Sequence, residues 1–210
     1  MRVGFGGGAA FNRASPSSHR RCVARIVADY VATVPAGPAR ILDVGGTARG
    51  FCAAGIDELP ADAVVVIANP EQDVGADYAY VSDIPPQVEG FDLAMLFGVM
   101  MYLPPEPLVA LLDDIRRRLR GNGTLLIAEP DPEGPLGRVE VAAKTVYALV
   151  KSLWAPTGFH FHTAEDTRRM LREAGFTRIE DRQDLTPLAM GVMPPPMPPY
   201  FVLAAGVQPV

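Results

Sequence analysis

Cysteine, lysine, tryptophan and histidine are all scarce in this chain. Cys22 and Cys52 lie far apart, with no Cys-x-x-Cys spacing. Two packed thiols are the expectation, and a single disulfide is the alternative. Lysine occurs only at Lys144 and Lys151, and the net charge is −5. A broad nucleic-acid surface needs basic residues to displace phosphate counterions, so no nucleic-acid partner is expected. No apolar run reaches the roughly 18 residues of a membrane span. The start, Met1 to Gly8, lacks the apolar region and cleavage pattern of a signal peptide. A cytoplasmic protein without a membrane partner is expected. Charge is also uneven: the first 40 residues hold six arginines and one acid. A solvated helix face accounts for such a run, and an anionic substrate is the alternative.

Apolar residues are plentiful, at 49% of 210 residues. That suffices for one sizeable core. Residues 1–16 are rich in Gly, Ser and Ala and read as a flexible segment. Residues 17–210 read as a single domain, with 135–162 as an insertion on the lid or substrate side. Gly4, Gly6, Gly7 and Gly8 superficially resemble a phosphate loop, but no strand precedes them. Seven strands are expected, at 39–44, 63–68, 78–81, 91–97, 124–128, 177–184 and 199–206. Helices are expected from Ser17 or Ser18 to about Val34, from Gly50 to Glu58, and through Leu108, Leu111, Leu112, Ile115 and Leu119. Gly121-Asn122-Gly123 should stop the last of these. A further helix, 137–154, is apolar around most of its circumference, so a lid, a substrate or a second copy of the chain should cover it. Thr163-Ala164-Glu165-Asp166 resembles a capping box opening a helix that ends at Ala174-Gly175. Alternating strands and helices predict an α/β, doubly wound sheet.

The chain is organised around Arg40-Ile41-Leu42-Asp43-Val44-Gly45-Gly46-Thr47-Ala48-Arg49-Gly50, where a buried strand ends in an acid and a glycine-bearing turn. Glycine allows both the tight turn and the close approach of a ligand. The carboxyl ends of the other strands carry Asn69-Pro70, Ser82-Asp83-Ile84, Phe97-Gly98-Val99 and Glu129. Together with the helix LVALLDDIRRRLRGNGTLLIAEPD and the segment HTAEDTRRMLREAGF, this series resembles the class I S-adenosylmethionine-dependent methyltransferases that act on small molecules. The resemblance covers roughly residues 20–206, and it implies a Rossmann-like, mostly parallel sheet of seven strands whose two closing strands form an antiparallel C-terminal hairpin. It implies S-adenosylmethionine as cofactor, with Gly45, Gly46, Thr47 and Gly50 beside its methionine part and Asp43 at its ammonium end. It places Asn69 and Pro70 at the ribose, and Ser82, Asp83 and Ile84 at the adenine. Phe97, Gly98 and Val99 would line the sulfonium side. Thr47 stands where the usual motif has its second glycine, and Asn69 stands where it has an acid.

Methyl transfer needs donor and acceptor held in line, and a base only if the acceptor loses a proton. Imidazole is the natural base. His160 and His162 flank Phe161, and alternation in an extended segment puts both on one side. Tyr102, after the fourth strand, is a candidate substrate contact. Packing or surface roles are the plainer readings of all three. Glu129 could act on substrate or instead fix backbone or an arginine, Asp131 is a weaker candidate for the same place, and Cys52 could simply pack. No metal is expected, because His-x-His has no further ligand set. The Met and Pro residues between 187 and 198 could form an apolar wall over a substrate or a contact in a homodimer. The expected activity is methylation of a small apolar or aromatic metabolite, O-methylation foremost. A non-methylating step such as cyclisation, or a non-catalytic binding subunit, is the alternative on the same fold. The hairpin-like end of the chain argues against a nicotinamide-dependent dehydrogenase.

Overall fold

The computed structural model of the protein describes Val27 and residues 38–48, 63–71, 74–134, 137–139, 141–143, 145, 159–186, 189 and 200–207. Six strands form one sheet among these residues: β1 (Arg40–Val44), β2 (Val64–Ala68), β3 (Phe91–Phe97), β4 (Leu119–Pro130), β5 (Arg178–Asp181) and β6 (Tyr200–Gly206). Their spatial order is β2-β1-β3-β4-β6-β5. The first four are parallel, while β6 runs antiparallel to both β4 and β5. The mostly parallel doubly wound sheet and its antiparallel hairpin thus match the expectation.

The strand expected at 78–81 does not form. Only Tyr78 pairs, in a parallel bridge with Ala68. Two side chains end the ladder. The Asp77 carboxylate accepts from Ile67 N at 3.0 Å, taking a donor on the open edge of β2. The Asp83 carboxylate accepts from Tyr80 N at 3.1 Å and winds Val81–Asp83 into a 3-10 turn. Short acidic side chains compete with ladders for backbone donors in this way. Among the described residues the sheet therefore has six strands rather than seven.

Two helices cover one face. Helix α1 (Pro105–Arg118) has proline at its first turn, where the missing N–H costs nothing, and Arg116, Arg117 and Arg118 in its last. It buries Leu108, Leu112 and Ile115, each contributing roughly 1.5–3 kcal/mol. It ends before Gly121-Asn122-Gly123, because Leu119 is already extended and Gly90 N takes the Arg118 carbonyl at 2.9 Å. Those glycines lie inside β4, opposite an irregularity in the β3 pairing. Helix α2 (Ala164–Glu173) is capped by Thr163, whose Oγ1 accepts from Asp166 N at 3.0 Å. Asp166 answers by accepting from the Thr163 hydroxyl. Gly175, at φ +90°, follows as expected.

Alternation along the strands divides the core between the two faces. Leu42, Val44, Leu96 and Leu125 pack with α1 and α2 on one face. Ile41, Leu93, Met95, Leu126 and Val202 pack on the other, with Val27 and Leu185. The helices expected at 17–34 (apart from Val27) and 50–58 and most of the 137–154 segment lie outside the described residues, as do Cys22, Cys52 and the Met and Pro residues of 187–198. Residues 137–139, 141–143 and 145 are helical. No described helix is long and apolar enough to cross a membrane.

Candidate functional site

In a doubly wound sheet a ligand crevice opens where the strand order reverses, at the carboxyl ends. Here that point lies between β1 and β3. β1 delivers Asp43, Val44 and then Gly45, whose N donates to Ala68 O at 2.8 Å. Gly45 has φ +78°, and a Cβ there would strike the Val99 side chain. A Cβ on Gly46 would strike the Asp43 carboxylate. The two glycines thus serve different purposes. One permits the turn beside the loop after β3, and the other makes room for a carboxylate.

That carboxylate is electrostatically exceptional. Burial pushes the Asp43 carboxyl up to about 7. No described cation pairs with it. An acid desolvated without a partner is a site that gains from a cationic ligand. The ammonium of S-adenosylmethionine fits this requirement, and the missing Cβ at Gly46 leaves the Asp43 carboxylate its place against the loop.

Asn69 ends β2 and turns toward the same loop. Its Nδ2 donates to Gly45 O at 3.1 Å and to Gly46 O at 2.8 Å. Pro70 beside it is exposed, as are Ser82 and Asp83. Ile84, expected beside the adenine, is only 1% exposed and belongs to the core. Phe97 is half-buried, and Gly98 takes φ +67° with its N on Ala128 O at 3.0 Å. Thr47 is half-buried. Gly50 lies outside the described residues.

Glu129, at the end of β4, is 4% exposed. Its Oε1 accepts from Val99 N at 2.7 Å and Met100 N at 2.8 Å. Of the alternatives open in the sequence, it takes the backbone-fixing one. The 3-10 turn Met100–Tyr102 that it caps faces the segment 159–162. His160 N donates to Met101 O at 2.7 Å, and the His162 ring donates from Nε2 to Leu103 O at 2.9 Å. A carbonyl only accepts, so this contact places a proton on Nε2.

Both histidines, Met100, Met101 and Glu129 border one small pocket. Tyr102, 60% exposed, sits beside it. Its ring lies 5.6 Å from Phe159, which lies 6.2 Å from Phe161. The fold therefore brings His160, His162 and Tyr102 to one place. Phe159 was not singled out from the sequence, although the alternation Phe159-His160-Phe161-His162 carries the signal. Asp131 lies half-buried and accepts from Glu133 N at 3.0 Å, a local turn contact.

The family described as "Methyltransferase domain" matches residues 17–181. No curated protein matches the chain in sequence. Among solved structures, the chain is similar to a candidate O-methyltransferase from Nostoc punctiforme, with TM-score 0.61 and 16% identity over 87% of this chain and 55% of that one. It is similar to magnesium protoporphyrin IX methyltransferase from Synechocystis, solved with bound SAH, with TM-score 0.60 and 15% identity over 97% and 90%. A SAM-dependent methyltransferase from Archaeoglobus fulgidus gives TM-score 0.57 and 14% identity over 89% and 93%. The chain spans little more than half of some relatives, 55% of the Nostoc protein and 56% of the methyltransferase SibL. At these identities the likeness is one of fold.

Proposed function

The chain belongs to the methyltransferase-domain family, and on that footing we propose that it transfers a methyl group from S-adenosylmethionine to a small apolar or aromatic metabolite, with a hydroxyl oxygen as acceptor. The carrying observation is the half-buried, desolvated Asp43 carboxylate, with no partner among the described residues, beside a glycine turn at the reversal of strand order. It meets the ammonium end of the cofactor. Ser82 and Asp83 lie toward the adenine, and Phe97 and Gly98 toward the sulfonium, which supplies an electrophilic methyl group.

The acceptor side is the second half of the reading. Tyr102, Phe159 and Phe161 offer ring faces and edges, which suit an aromatic acceptor. His162 is the base: its Nε2 hydrogen is held by Leu103 O, so Nδ1 takes the acceptor's proton. The acceptor oxygen forms the new bond to the methyl carbon. The electron pair of the broken carbon–sulfur bond stays on sulfur, and the proton ends on His162. His160, exposed and held through its backbone, stands at the rim.

Calorimetry with S-adenosylmethionine, its demethylated product and NAD tests the donor. Binding of neither sulfur compound overturns the reading, and tight NAD binding replaces it. Transfer of the labelled methyl group to a panel of phenols tests the acceptor. His162→Ala should lower kcat by about 10²-fold or more with cofactor affinity unchanged. Cofactor binding with no methyl consumed would move the protein to a non-methylating role.

A further inference from the structure

β2 runs out into Asn69-Pro70-Glu71, and Asn69 is 8% exposed. Its Nδ2 reaches the carbonyls of Gly45 and Gly46, and its Oδ1 accepts from Glu71 N at 2.9 Å. These contacts also fix which way the amide points. Turned over, Oδ1 would face two carbonyl oxygens and Nδ2 would face an N–H. Both amide hydrogens are therefore engaged by the β1 loop. The loop residues they hold are the two that matter most: Gly46 lies under the Asp43 carboxylate, and Gly45 lies against Val99.

We propose that Asn69 is a positioning residue for the cofactor site: it clamps the carbonyls of Gly45 and Gly46, and so sets the Asp43 side of the loop, rather than receiving the ribose hydroxyls. The assignment rests on the donor reading above. It reverses the expected sign of one substitution. A hydroxyl-binding amide improves when it becomes a carboxylate, because charge-assisted hydrogen bonds are stronger. A clamp fails under the same change. The carboxylate of N69D brings acceptors against two carbonyl oxygens and donates nothing.

The test compares S-adenosylhomocysteine with 5′-methylthioadenosine, which keeps adenine, ribose and sulfur but lacks the amino-acid end. Both are titrated calorimetrically into the full chain. N69D should lower affinity for S-adenosylhomocysteine about tenfold or more, as expected for two lost hydrogen bonds. It should leave 5′-methylthioadenosine within about twofold, since that ligand does not reach the Asp43 side of the loop. Asn69→Ala should give the same pattern with a smaller loss, and it carries the test if N69D does not fold. Unchanged or tighter S-adenosylhomocysteine binding by the variants overturns the clamp. So does an equal loss for both ligands, the signature of a ribose contact or of general damage. If the wild type binds no S-adenosylhomocysteine, the donor reading falls and the clamp's cofactor role falls with it. Wild-type binding with the wrong variant pattern overturns the clamp alone.

Discussion

Asp43 shows how a single side chain can be costly to the fold at the place where the proposed function needs it. Burial raises its carboxyl to about 7, against about 3.9 in an unfolded chain. Between these values the native protein binds more protons than the unfolded one, so this group's contribution to stability falls as pH rises from about 4 to about 7. Asp43→Asn removes the charge and with it that loss. In ligand-free protein the variant should match the wild type near pH 4 and melt higher above pH 7, as thermal denaturation across that range would reveal. The same variant should bind S-adenosylmethionine at least about tenfold more weakly, because the loop loses its anionic partner for the ammonium. A Tm difference that does not change with pH would contradict the burial argument. The acid was legible in the sequence as the last polar residue of an apolar strand. The absence of a cation beside it among the described residues was not, since that depends on what β2 and β3 bring near it.

At the scale of elements, the site floor is a set of strand ends tied to one another. Asn69 of the β2 end holds Gly45 and Gly46 of the β1 end. Gly45 abuts Val99 after β3, and Glu129 of β4 holds Val99 N. Gly45→Ala should cost about 1–2 kcal/mol for the left-handed backbone alone, and more for the collision with Val99. Adding Val99→Ala should recover the collision part and leave the backbone part, measurable by denaturant unfolding. Full recovery would mean that φ +78° is not the constraint. The glycines were visible in the sequence because a turn after a strand demands them. Val99 and Glu129 lie about 50 or more residues away from them in the chain, so no local pattern links the two sets. Local chemistry was also misread at two boundaries. Asp77 and Asp83 used their carboxylates on backbone donors and cancelled a strand, and Leu119 ended α1 before the glycines did.

On the scale of the whole molecule, β6 is the strand on which the sheet depends. It pairs with β4 on one side and β5 on the other, and sends side chains to both faces. Leu203 on β6 is fully buried. Leu203→Ala should destabilise the protein by about 2–5 kcal/mol, because the cavity adds to the lost transfer energy. Equilibrium denaturation would measure it. A cost below about 1 kcal/mol would mean that this region collapses freely around the gap.

The sequence by itself determined the class of fold. Apolar runs of strand length alternating with 3.6-period helices admit little besides a doubly wound sheet, and the acid–glycine turn marks its ligand end. These signals are local, so they survive without knowledge of neighbours. Only the tertiary structure decided what the strand-end residues do. The Asn69 amide lies on two loop carbonyls, and Glu129, which in the sequence could fix backbone or act on substrate, accepts from the backbone N–H groups of Val99 and Met100. A polar side chain's role is set by the partners within about 3 Å of it, and those partners come from other strands.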